Sequence, residues 1–448
     1  MTLSPPLCGR RGRSAALLIA WLLIGTLVPL SATAAHHDLG DALGLADSAA
    51  LRATVFGLAE DELAALPETV PVREINIAIE GGLPVPDLYW FNRELRVYFS
   101  AQKGPAPLAI VIAGTGGSAN GGRIQTLRRA LYQDGHHVLT LPSPTFPRFI
   151  VAASSTGVAG DLWQDGRDLH RAISQILEPL QSRHEFTEIN VLGYSLGGAN
   201  AALVKAIDGE QGDLNIRRAV LINPPVSLFS SVGRLDRLLE LSIGDDEAAF
   251  DRFYHEVYTE LSRLYSVSGA VTVNQQFLLQ AASHLLESDR NLAAGISLSF
   301  RLSLLDLFLA GDLYAGSGVV VDPDNPPTSA SLDDISRTLR HHSFALYFDR
   351  VFAPFYMEHR PGATRESLIA DNHLETIGDQ LRNDGDYYAQ TNADELILDA
   401  GELAWLRDVF GPRIVVYDQG GHLGNLGEQQ QIRDMLDMVS GRYKGARP

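Results

Sequence analysis

From residue 71 onward, short runs of β-branched and other apolar residues alternate with stretches in which apolar residues recur every three or four positions. That alternation predicts an α/β fold, a mostly parallel sheet of about eight strands covered by helices. The strands are expected at 72–79, 95–100, 108–113, 137–141, 189–193, 219–223, 387–391 and 413–417. Several are continuous apolar runs, as strands buried on both faces require. Between them, Ile124, Leu127 and Leu131 share one helical face, with Arg123, Arg128 and Arg129 expected on the wet side. Leu162, Leu169, Ile173, Ile176, Leu177 and Leu180 form a second stripe, opposed by Asp161, Asp165 and Asp168. Ile432, Met435, Leu436 and Val439 form the last.

The alternation stops at 226–385, where the pattern is helical almost throughout. Stretches at 246–265, 274–287, 292–313, 332–359 and 365–381 are separated by Gly316-Ser317-Gly318 and by the loop around Asp322-Pro323-Asp324. This segment is expected to be an all-helical cap inserted between a first core part, 71–225, and a second, 386–448. Phe344, Tyr347, Phe348, Phe352, Phe355 and Tyr356 concentrate aromatic character within the cap, where Pro354 should kink the helix. They are expected either to form the cap's own core or to line an acyl or aromatic pocket.

Ahead of the core, residues 1–34 have the three parts of a secretory signal: Arg10, Arg11 and Arg13, then an apolar run from Ala15 to Leu30, then Ala32-Thr33-Ala34. An exported protein, periplasmic or secreted, is expected, with membrane contact only through this segment if it is uncleaved. Residues 35–70 read as a polar leader in which no chemistry stands out. The single cysteine, Cys8, lies within the signal, so a mature chain would hold no disulfide. The formal charge of -18 becomes -21 without the three signal arginines. Such a surface disfavours nucleic acid and anionic headgroups.

Chemistry is concentrated at Gly193-Tyr194-Ser195-Leu196-Gly197. The apolar run 189–192 leads straight into this pentapeptide, and a small-residue helix, Gly198-Ala199-Asn200-Ala201-Ala202-Leu203, leaves it. A strand, a sharp turn and a helix are what a nucleophile elbow needs. In this the chain resembles the α/β-hydrolase superfamily. The resemblance covers the core in strand order and motifs and does not extend to the cap.

The resemblance implies a triad in the order Ser, acid, His. His422, between glycines in the loop after the strand at 413–417, is the expected base; of the 13 histidines it alone sits in such a place. The acid is expected after the strand at 387–391, where Asp394 and Glu395 are adjacent. Asp394 is favoured for its shorter side chain, with Glu395 as the alternative. The loop Ala113-Gly114-Thr115-Gly116-Gly117-Ser118 resembles the superfamily's His-Gly-x-x-Gly-Ser loop with Ala113 in place of histidine. It implies an oxyanion hole made by the amides of Thr115 and Leu196. Its glycines lack the spacing of a nucleotide-binding loop.

The implied activity is hydrolysis of a carboxylic ester or thioester through an acyl-enzyme on Ser195, with a small-molecule or lipid-like acyl substrate and no metal or organic cofactor. Acyl transfer or peptide hydrolysis on the same triad, and a non-catalytic binding protein of the cell envelope that keeps the fold, remain open alternatives. His36-His37, His136-His137 and His341-His342 lack the spacing of a zinc motif, and the Asp322/Asp324 loop lacks the spaced ligands of a calcium site.

Overall fold

Eight strands form one sheet in the order β1-β2-β4-β3-β5-β6-β7-β8. They are β1 Arg73–Ile77, β2 Leu95–Ser100, β3 Ala106–Ile112, β4 His137–Leu141, β5 Phe186–Tyr194, β6 Ile216–Ile222, β7 Tyr387–Asn392 and β8 Ile414–Tyr417. From β4 to β8 all neighbours run parallel, while β2 runs antiparallel to both β1 and β4. Each expected strand is present, within a few residues of its expected ends. The structure, a computed structural model, describes residues 48–57, 59–244, 246–268, 288–322, 324 and 332–445. The proposed signal segment, Cys8, His36-His37 and the helix expected at 274–287 lie outside these residues.

The alternating faces of the strands explain the layering. Along β3, Leu108, Ile110 and Ile112 enter one apolar cluster with the stripe Leu169, Ile173, Ile176 and Leu177 of helix Leu162–Gln181. Ala109 and Val111 enter the other cluster, with Ile124, Leu127 and Leu131 of helix Gly122–Gln133 and Ile432 and Met435 of helix Gln429–Val439. The sheet is thereby covered on both faces, and its parallel strands point their C-terminal ends toward one edge, where ligands of such sheets bind.

Two expectations about wet helix faces are corrected. Arg128 is buried, where its guanidinium donates to Asn120 Oδ1 at 2.8 Å and lies over the Tyr98 ring. Asp161, Asp165 and Asp168 are also buried. Asp161 caps its helix by accepting from Gln164 N and pairs with Arg360 at 2.7 Å. Asp165 accepts from Gly160 N at 2.9 Å, and Asp168 accepts from Ser155 N at 2.9 Å. These carboxylates hold the loop that leads into the helix, so polarity here marks an internal hydrogen-bond network rather than solvent.

Between β6 and β7 the regular elements among the described residues are all helices, beginning with Leu228–Ile243 and Glu247–Ser268 and continuing through Asp289–Ser303 and Leu305–Ala315. The long stretch expected at 332–359 is broken: His341-His342 lies in a turn between helix Leu332–Leu339 and the helical run that starts at Phe344. Ahead of Pro354 the helix widens into one π turn, Phe348–Phe352, because proline supplies no amide to the usual acceptor. The aromatic residues of this run form a core. Phe344, Tyr347, Phe348, Phe352 and Tyr356 are buried, and Phe355 is partly buried against them. The Tyr347 and Tyr356 hydroxyls each donate at 2.8 Å, to Ala159 O and Val158 O.

Candidate active site

Ser195 follows β5 with φ 53° and ψ -131°, in the left-handed region that a side chain rarely adopts. Its amide donates to Ile222 O at 2.8 Å, and its carbonyl accepts the first helical bond, from Gly198 N at 2.8 Å. Helix Leu196–Gln211 therefore starts at the serine, whose hydroxyl sits at the positive end of the helix dipole. Both glycines of the pentapeptide are sterically required. A Cβ on Gly193 would lie 2.1 Å from Gly197 O, and one on Gly197 would lie 2.3 Å from Ile112 O.

The loop after β8 brings His422 to this serine, with Nε2 3.1 Å from Ser195 Oγ. On the other side of the ring, Nδ1 lies 2.8 Å from Glu395 Oε1. An ionised carboxylate only accepts, so the Glu395 contact places the ring proton on Nδ1 and leaves Nε2 free to accept from the serine hydroxyl. The Glu395 side chain is 1% exposed and that of His422 16%. The second carboxylate oxygen of Glu395 accepts from Asn223 Nδ2 at 2.6 Å, and Oε1 also accepts from Ile397 N at 3.3 Å.

The preference for Asp394 as the acid is thus corrected in favour of Glu395. The reason is where β7 ends. Its ladder with β8 runs through Asn392 opposite Tyr417, one residue beyond the expected Thr391, so the turn begins later. Asp394 points elsewhere and accepts from Gly420 N at 3.2 Å and Gly421 N at 2.9 Å. It shapes the backbone of the histidine loop while its neighbour holds the imidazole.

Ala113-Gly114-Thr115-Gly116-Gly117-Ser118 lies directly against the elbow. A Cβ on Gly114 would stand 3.1 Å from Ser195 Cβ and 3.0 Å from Tyr194 O. Within this loop Gly116 N donates to Thr145 Oγ1 and Gly117 N to Gly114 O, both at 2.8 Å. The amides of Thr115 and Leu196 make no hydrogen bond among the described residues. The cap reaches the same loop, since a Cβ on Gly116 would meet Ser303 Cβ at 2.7 Å.

Four contributors went unread in the sequence. Asn223 follows β6 at a positive φ of 46°, and an asparagine directly before Pro224-Pro225 was the available signal. Asn392 and Asn425 bond each other reciprocally at 3.0 and 2.7 Å, and Asn392 Nδ2 also donates to Gly421 O at 2.7 Å. Thr54, far toward the N-terminus, accepts from His422 N at 2.9 Å. No group of metal-ligating side chains occurs among the described residues.

The sheet order, the elbow after β5 and the helical segment between β6 and β7 define the α/β-hydrolase fold. No family model and no curated protein matches the chain. Among solved structures, it is similar to a hyperthermophilic esterase from the archaeon Pyrobaculum calidifontis at 16% identity, over 89% of this chain and 87% of that one, with a TM-score of 0.37. A thermophilic carboxylesterase cloned from a metagenomic library matches at 15% identity over 90% and 94%, with a TM-score of 0.35. A thioesterase domain from the curacin biosynthetic pathway matches at 12% over 83% and 99%, with a TM-score of 0.40. Likenesses this distant carry no weight for activity.

Proposed function

We propose that the protein is an exported serine hydrolase that cleaves a carboxylic ester or thioester through an acyl-enzyme on Ser195. The observation that carries this reading is the unbroken chain from Ser195 Oγ to His422 Nε2, at 3.1 Å, and from His422 Nδ1 to Glu395 Oε1, at 2.8 Å. A serine hydroxyl is a weak nucleophile at neutral pH and needs a positioned base. In this reading His422 Nε2 takes the hydroxyl proton as Ser195 Oγ attacks the acyl carbonyl, and Glu395 steadies the imidazolium that results. The amides of Thr115 and Leu196 are the donors for the oxyanion. His422 then returns its proton to the departing alcohol or thiol. Water attacks the acyl-enzyme by the same path in reverse and frees Ser195.

Export is supported by the basic, apolar and small-residue order of residues 1–34. A fluorophosphonate probe tests the nucleophile directly. Labelling is expected on Ser195, lost in Ser195→Ala and much slowed in His422→Ala. An adduct elsewhere that survives Ser195→Ala would sink the assignment. Hydrolysis of p-nitrophenyl esters from two to sixteen carbons then measures the acyl preference, and no turnover across that whole series would count against ester cleavage.

A further inference from the structure

We propose that Thr54, on the N-terminal helix Ala49–Phe56, is a positioning residue for the reaction, fixing the backbone of His422 and through it the imidazole. The inference rests on the serine-hydrolase reading and extends it to a segment with no chemical motif of its own. The Thr54 hydroxyl is engaged in both senses, accepting from His422 N at 2.9 Å and donating to Ala50 O at 2.7 Å. The neighbouring loop amides are held by other groups: Gly420 and Gly421 by Asp394, and Gly424 by Gly420 O at 2.9 Å. The residue that bears the imidazole is held by Thr54.

Steric contact is as close as the hydrogen bonding. A Cβ on Gly421 would fall 2.2 Å from Ala50 O and 2.3 Å from Thr54 Oγ1, and one on Gly424 would fall 2.1 Å from Ala53 O. The helix backbone therefore lies flat on the loop at Gly421 and Gly424. On its other side the helix is wedged, because Ala50 and Leu51 share an apolar cluster with Leu238, Leu292 and Ala293 of the cap and with Leu396, next to Glu395. One short helix thus touches the base's loop, the acid's loop and the cap. The base itself works at a single hydrogen bond's reach, 3.1 Å from Ser195 Oγ. A displacement of about 1 Å at such a contact can cost roughly 100-fold in rate.

Thr54→Val keeps the shape and removes the hydroxyl, while Thr54→Ser keeps the hydroxyl. For an ester that the wild type cleaves, Thr54→Val should lower kcat by about tenfold to 100-fold. KM should stay within about twofold, because the contact acts on the base and not on substrate binding. Fluorophosphonate labelling of Ser195 should slow by the same factor, amide hydrogen exchange in 418–426 should accelerate, and Thr54→Ser should restore all three. Thr54→Ala beside Thr54→Ser makes the same comparison should the valine variant fail to fold. Wild-type kcat and exchange in Thr54→Val, or a loss of activity that Thr54→Ser does not recover, would overturn the proposal. A wild type that neither labels nor hydrolyses would instead refute the serine-hydrolase reading. Exchange in 418–426 would then decide Thr54's role alone, and unchanged exchange in Thr54→Val would refute it.

Discussion

At the scale of single residues, the two adjacent carboxylates after β7 divide their work, and the division can be measured. Glu395→Gln removes the charge that steadies the imidazolium and can hold the ring in the wrong tautomer, so kcat should fall by about 10³–10⁴-fold. Asp394→Asn keeps an acceptor for one of the two loop amides and should cost less than about tenfold. If the glutamine variant of residue 395 kept full activity on a p-nitrophenyl ester while Asp394→Asn lost it, the assignment would reverse. Asn223→Ala leaves Glu395 Oε2 without its 2.6 Å donor. A hydrogen bond to a charged group is worth about 1.5–3 kcal/mol, so a kcat loss of about tenfold to 100-fold is expected. The sequence could not choose between the two carboxylates because the choice depends on whether the ladder ends at Thr391 or Asn392, and a slip of one residue inverts every side chain. Thr54 was illegible for a different reason. Nothing in Ala53-Thr54-Val55-Phe56 distinguishes it from any helical threonine until the chain brings His422, 368 positions away, against it.

Among elements, the strands from β2 onward were readable because each carries its burial in its own composition, β1 was readable from the alternation of Ile75 and Ile77 with polar residues, and the elbow was readable because strand, glycines and helix adjoin in sequence. Helix faces were less so. A polar stripe on helix Leu162–Gln181 is indistinguishable from a solvated one until Arg360, from the inserted segment, pairs with Asp161. The same segment holds a buried ion pair, Asp236 Oδ1 with Arg301 Nη2 at 2.6 Å, and Asp236 Oδ2 also accepts from Phe344 N at 2.9 Å. Burial raises the Asp236 carboxyl above its usual range, and Arg301 opposes that shift. Arg301→Met would strand this carboxylate, so a loss of about 3–5 kcal/mol is expected in chemical denaturation. A change below about 1 kcal/mol would show the pair to be dispensable to the fold.

For the whole molecule, Asp165 couples stability to pH. Burial, reinforced by the nearby carboxylates Asp161 and Asp168, pushes its carboxyl well above the ordinary aspartate value of 3.8. The folded protein therefore holds a proton that the unfolded chain releases once pH exceeds 3.8. Stability is lost as pH rises from there toward the raised folded value, and none is lost below it. Asp165→Asn removes the ionisation and retains an acceptor for Gly160 N. Thermal melts should show the variant more stable than wild type at pH 7, with the gain shrinking toward zero near pH 4. A gain independent of pH would show that the carboxyl does not titrate in this way.

The distance along the chain between Ser195 and His422 carries a consequence for biogenesis. Ser195 and its base are separated by 227 positions, and the helical segment and the last two strands lie between them. Synthesis runs from the N-terminus, so the elbow can be complete while no imidazole is yet within reach. Contacts at such separation close late, since the loop entropy must be met before they form. In the serine-hydrolase reading the nascent chain is therefore latent by topology, acquiring its reactivity only when the loop after the final strand brings His422 to the elbow.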